Sequence, residues 1–192
     1  MNCTERRQIV SVIGDATLPD EDRRLELAFS TGRCLVDKGF AVMTGGMGGV
    51  MDAALEGGRT SPNWVHGACI GLLPGRDPGG PRVSSNADIV IPTGLDHGRN
   101  LVMAQADAVI AIGGGAGTLS EMAFAWIHRR LLIALRCNGW SGRLADAPID
   151  ERTRYKNIRE DCVYGADTAQ EAVALVQRLR PLYDRTHRGI CD

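Results

Sequence analysis

Ala108-Val-Ile-Ala-Ile-Gly-Gly-Gly-Ala-Gly-Thr-Leu-Ser-Glu121 is the stretch that decides the fold. Residues 108–112 form an unbroken apolar run, the pattern of a strand covered on both faces. Three glycines close the run, and an apolar helical pattern reopens at 118 and continues to 129. A strand, a tight glycine loop and a helix start, in that order, make an anion trap. Backbone N–H groups approach an oxyanion closely there, and the helix terminus adds a favourable dipole. The expected ligand is a phosphate, held by the main chain of Gly114, Gly115, Ala116, Gly117 and Thr118. Glu121 lies one turn into the helix, facing whatever the loop holds. Consecutive glycines also make simple turns, but this run sits between a strand and a helix.

Outward from this stretch the same alternation repeats. Strands are expected at 8–14, 40–44, 66–73, 88–92 and 131–135, with a short last one at 162–164. After the first strand, Pro19-Asp-Glu-Asp22 opens a helix with acidic residues at its positive end. Leu25, Ala28, Phe29, Gly32, Leu35 and Val36 keep its period, and Gly39 ends it. A short helix follows Gly45-Gly-Met-Gly-Gly49 and is expected to end before Gly57-Gly58. Further helices are expected at 98–107, 118–129 and about 168–183. Residues 74–87, with Pro74, Pro78 and Pro81, read as a loop with the character of a lid. Residues 137–160 show no assignable pattern. Short apolar strands alternating with helices predict an α/β fold: a doubly wound, mostly parallel sheet between two helix layers, a modified Rossmann fold. One domain is expected over 1–192. Such sheets bind ligands beyond the carboxyl ends of their strands. Both glycine loops lie there, so Gly45, Gly46 and Gly48 form a second backbone cradle.

Composition narrows the partners. The 192 residues are 44% hydrophobic and 23% charged with a net charge of −1, which carries no footprint for nucleic acid or an anionic membrane surface. A basic stretch holds Arg178, Arg180, Arg185 and Arg188; it reads as a solvated helix end and tail, or as an arm toward a partner subunit. No apolar run reaches the ~18 residues of a membrane span. The N-terminus leads into a strand without a cleavage site, unlike a secretion signal. Six cysteines without a C-x-x-C pair point to reduced thiols in a cytoplasmic protein. Four scattered histidines give no metal site. The helices at 98–107 and 118–129 are apolar nearly all round, so they are buried either in a homodimer or higher homo-oligomer, or deep within one domain.

The glycine loop is not a Walker A motif, because no Gly-Lys-Ser/Thr follows. Nor is it the usual dinucleotide fingerprint, which belongs after the first strand, where this chain has Gly14-Asp-Ala-Thr17. Thr118-Leu-Ser-Glu121 has the spacing of a capping box, in which Glu121 would reach back to its own helix start. The other reading of Glu121 is a carboxylate beside a bound phosphosugar. In Asp96-His-Gly-Arg-Asn100, Arg99 falls in a first helical turn, where the dipole opposes a cation. A phosphate or carboxylate partner supplies a reason for it, and a surface arginine is the plain alternative. Asp96 reads as a helix cap and His97 as a loop histidine.

Arg99-Asn100-x-x-Met103 followed by Gly113-Gly-Gly-x-Gly-Thr-x-x-Glu121 resembles the Lonely Guy family and its wider SLOG superfamily, formerly described as lysine decarboxylase-like. The resemblance covers roughly residues 8–180. It implies a phosphoribohydrolase that cuts the N-glycosidic bond of nucleoside 5′-monophosphates, releasing base and ribose 5-phosphate. It also implies Arg99 and Glu121 as catalytic residues and the 114–118 loop, with Asn100 nearby, as the ligand site. The enzymes usually carry proline at Gly113 and lysine at Asn100. Gly-Arg-Asn100, Gly45-Gly-x-Gly-Gly-Val-Met51 and Gly139-Trp-Ser-Gly-Arg-Leu144 look closer to a sister branch that includes the molybdenum cofactor carriers. Carriers hold a phosphate-bearing pterin without transforming it. Either role needs a small phosphorylated ligand, a nucleoside monophosphate or a pterin, and the hydrolytic one requires no metal or redox cofactor.

Overall fold

A computed structural model describes residues 6–183. Seven strands, β1 (Ile9–Gly14), β2 (Ala41–Thr44), β3 (Cys69–Leu73), β4 (Ile89–Pro92), β5 (Ala108–Ile112), β6 (Leu131–Leu135) and β7 (Tyr164–Ala166), form one sheet. Its order is β4-β3-β2-β1-β5-β6-β7, and every neighbouring pair is parallel. The doubly wound sheet expected from the sequence is therefore present. The chain builds outward from β1 to β4, then crosses back to place β5 beside β1. The carboxyl ends of β1 and β5 flank the point where the winding reverses, the ligand crevice of such sheets.

Side-chain alternation sorts the core into two layers. Val10, Val12, Ile110, Ile112 and Ile133 point toward α1 (Arg23–Asp37), α2 (Val50–Arg59) and α6 (Ala169–Leu179), meeting Leu35, Val36, Leu55 and Val176. Ile13, Val109, Ala111, Leu132 and Ala134 point the other way, toward Met103, Met122 and Trp126. Those last belong to α3 (Arg99–Met103) and α4 (Ala116–Ile127), with α5 (Trp140–Leu144) on the same side. Burial on both faces explains why β2, β3, β5 and β6 read as apolar runs rather than alternations.

Several boundaries differ from the sequence reading. α2 runs through Gly57 and Gly58 instead of stopping before them. A glycine pair disfavours a helix by propensity, but here it permits α1 and α2 to touch backbone to backbone. A Cβ on Gly57 would stand 1.9 Å from the Phe29 carbonyl oxygen, and one on Gly32 1.8 Å from that of Ala54. Gly57→Ala is expected to cost on the order of 2–3 kcal/mol by overpacking. A thermal melt should show the midpoint falling by roughly 5–10 °C; an unchanged midpoint would refute the close packing.

α1 begins at Arg23, with Asp22 as its cap, accepting from the Arg24 N–H. β3 starts at Cys69 rather than 66, after a turn in which Gly67 has φ +92°. The last strand lies at Tyr164–Ala166, not 162–164, because Val163 bridges Ala147 outside the sheet. α3 is shorter than 98–107, and α4 starts two residues before 118. The unassigned 137–160 segment contains α5. The helix expected to about 183 is α6 followed by a 3-10 turn at Arg180–Leu182. Arg185 and Arg188 of the basic stretch lie outside the described residues. Among the described residues, no helix is long and apolar enough to cross a membrane.

Candidate functional site

The glycine loop after β5 is held from behind. Gly113 and Gly114 have φ of +66° and +93°, and a Cβ on Gly114 would stand 2.3 Å from the Thr118 side chain. Glycine is required there on both counts. The Gly113 N–H donates to Ser141 Oγ (2.7 Å), and the Gly114 N–H donates to Asp15 Oδ2 (2.8 Å). The same Asp15 oxygen accepts from Arg24 Nη1 at 2.8 Å. The N–H groups of Trp140 and Ser141 donate in turn to the Gly114 and Gly113 carbonyls, both at 3.0 Å. The expectation that Gly114 contributes its amide to a ligand is thereby corrected: that amide braces the loop.

The next four amides are open. α4 has Gly115 at its N-cap position, and no side chain caps it. The N–H groups of Gly115, Ala116, Gly117 and Thr118 donate to no described residue, as a first helical turn leaves them. Thr118 sits inside the helix as its third residue and Glu121 as its sixth, one position past the first turn and a half. The capping-box reading of this pair is therefore corrected, because the helix begins too early for it.

A pocket of about 240 Å³ opens at the switch point. Gly45, Arg99, Asn100, Gly115, Gly117, Thr118 and Glu121 all line it, with Asp15, His97 and Met51. Ala116 is exposed outside it. Gly46 is also absent from the lining: its N–H donates to Thr44 Oγ1 (3.1 Å) and its carbonyl accepts from the Ser84 N–H (2.9 Å). Gly46 is thus a structural part of the second glycine loop rather than a ligand donor. Gly48 lines a wider adjoining hollow of about 640 Å³, bordered by residues 81–85. The two spaces share Ala16 and Met47.

Arg99 is 8% exposed and Glu121 is 7% exposed. The surface-arginine alternative is therefore excluded. Arg99 lies against bare backbone, for a Cβ on Gly45 would stand 2.6 Å from its Nη1 and 2.7 Å from its Nη2. Nη1 is buried and has no hydrogen-bond partner among the described residues. Burial draws the guanidinium below its ordinary pKa, against the opposing charges of Glu121 and Asp96. Burial likewise pushes the Glu121 carboxyl up to about 7, and the nearby Arg99 charge only partly offsets it. Asn100 Nδ2 donates to Ser120 Oγ (2.8 Å), which donates to the Gly117 carbonyl (2.7 Å). That chain fixes α3 against the first turn of α4, and so fixes Arg99 against the open amides.

A buried cation with a free N–H, a carboxyl poised near neutrality and a row of open amides surround one small space. Such a set suits an anion carrying a polar body. Asp96 caps no helix; it stands at φ +50° at the head of a 3-10 turn, Asp96–Gly98, correcting its expected role. Sequence reasoning missed Asp15, Arg24 and Ser141 as braces. Asp15 directly follows a strand ending in glycine, and Ser141 lies in the Gly139-Trp-Ser-Gly segment, the two signals that were available.

The sequence profile of the SLOG cluster4 family matches residues 7–173. The chain belongs to that family. Its relatives include an uncharacterized protein of Archaeoglobus fulgidus, 34% identical over 128 residues, 66% of this chain and 79% of that one. A cytokinin riboside 5′-monophosphate phosphoribohydrolase of Mycobacterium marinum is 28% identical, matching 74% of this chain and 82% of its own. Among solved structures, the molybdenum cofactor binding protein of Rippkaea orientalis superposes with a TM-score of 0.73 at 28% identity, over 91% of this chain and 98% of that one. This SLOG cluster4 chain thus resembles both a hydrolase and a cofactor-binding protein.

Proposed function

We propose that this SLOG cluster4 protein hydrolyses the N-glycosidic bond of a nucleoside 5′-monophosphate. The observation that carries the reading is Glu121, buried in the same pocket as Arg99 and the open amides. Glycosidic cleavage passes through an oxocarbenium-like state, which a nearby carboxylate stabilises while it orients water. Glu121 takes that role. Arg99 holds the sugar phosphate and stabilises charge as it develops. The amides of Gly115, Gly117 and Thr118, which line the pocket, seat the phosphate, so that binding energy far from the bond fixes the orientation of the sugar. The hollow beside residues 81–85 offers room for the base.

The test is incubation with AMP, CMP, GMP and UMP, followed by chromatography. At least one should yield free base and ribose 5-phosphate in equal amounts. A second reading, a carrier of a phosphorylated pterin or nucleotide, is supported by Gly113 and Asn100 and by the likeness to the Rippkaea orientalis protein. Tight binding across the panel with no base released would select the carrier.

Homodimerisation belongs to the same proposal. α4 buries Met122, Ala125 and Trp126 but leaves Ile127 58% exposed, and α3 exposes Leu101 and Val102. A second copy would cover this outward apolar strip. Sedimentation should show a dimer that Val102→Asp converts to monomer. A monomeric native protein would remove the proposal.

A further inference from the structure

We infer that His97 is the acid that delivers a proton to the departing base, an assignment that rests on the hydrolase reading above. Among the described residues, four ionisable side chains line the pocket: Asp15, His97, Arg99 and Glu121. Three are committed. Asp15 Oδ2 is engaged by Arg24 Nη1 and the Gly114 N–H. Arg99 carries a guanidinium, too basic to yield its proton even with its affinity lowered by burial. Glu121 faces the sugar carbon and receives a proton from the attacking water. A leaving purine or pyrimidine needs protonation as its bond breaks, since the free base anion is a poor leaving group. His97 remains, and a protonated imidazole can donate a proton from either ring nitrogen.

The placement of His97 supports this. Its carbonyl accepts from the Arg99 N–H, while its ring forms no hydrogen bond or ion pair with any described residue. It sits on the exposed rim, whereas Arg99 and Glu121 are buried. The turn that presents it is specifically built. Asp96 adopts φ +50°, a region that costs a non-glycine residue free energy. The Asp96 N–H donates to the Pro74 carbonyl (3.0 Å) and the Gly98 N–H to that of Leu95 (2.8 Å), holding the turn.

The C1′–N bond breaks and its electron pair stays on the base. The His97 imidazolium gives its proton to a base nitrogen. Water adds to C1′ and passes a proton to the Glu121 carboxylate. The products are neutral base and ribose 5-phosphate, and solvent returns the proton from Glu121 to His97.

The experiment compares two leaving groups in the native protein and in His97→Gln. One substrate is the nucleoside monophosphate cleaved fastest in the panel. The other is 4-nitrophenyl β-ribofuranoside 5-phosphate, whose nitrophenolate departs without a proton. His97→Gln should lower kcat on the nucleotide by about a hundredfold or more and change nitrophenol release by less than about threefold. Equal losses on both substrates, or no loss on either, would overturn the assignment while leaving the hydrolase intact. A native protein that cleaves neither compound would overturn both readings together. Because His97 is exposed, matching thermal midpoints should confirm that the variant folds.

Discussion

Glu121→Gln should bind a nucleoside monophosphate almost as well as the native protein and turn it over about a hundredfold or more slowly. The amide keeps the shape of the side chain and removes its charge. Ligand affinity rests on Arg99 and the open amides, so calorimetry should register little change. Folding gives a second, independent readout. The Glu121 carboxyl titrates near 7 in the folded protein against an ordinary 4.5. Between those values the folded state holds a proton that the unfolded state has released, so stability falls as pH rises through this window. The cost is complete above about 7 and absent below 4.5. Glutamine has no proton to lose. Thermal melts should therefore show Glu121→Gln more stable than the native protein at about pH 8 and little different at about pH 4. A variant that is less stable at the higher pH would show that the carboxylate is not buried at a cost.

Arg99→Met is expected to separate stability from function. Loss of a charged donor to phosphate should weaken nucleotide binding by roughly tenfold to a hundredfold. The same change removes a buried guanidinium with an unpartnered Nη1 and puts an apolar chain of similar reach beside Met51 and Gly45. Replacing an incompletely paired buried charge with a packed apolar group tends to stabilise. At about pH 5, where Glu121 is protonated, the variant should melt at or above the native midpoint. At about pH 8 the benefit should shrink, because the carboxylate has lost the cation that partly offset its burial. Unimpaired binding would exclude Arg99 from the ligand site.

The sheet was legible in the sequence because its central strands are buried on both faces, so an apolar run of the right length sufficed; the edge strand β4 reads as an apolar run although it is largely exposed. Arg99 was legible because it breaks a local rule, a cation in a first helical turn; Glu121 was legible from its place one turn beyond the glycine loop, and Asn100 through the family resemblance. What stayed hidden depends on contacts between distant segments. Gly57 reads as a helix stop until α1 lies against it. Gly114 reads as a ligand donor until Asp15, 99 positions away, accepts from its N–H. The capping-box reading of Thr118 failed on a two-residue shift in where α4 begins.

The cluster of Asp15, Arg24 and Ser141 behind the glycine turn has a kinetic consequence. A phosphate arriving at Gly115 meets a mould cast before it came, so capture does not wait for the turn to assemble. Good and poor ligands should then arrive at similar speeds, and discrimination between them should lie in how long each one stays.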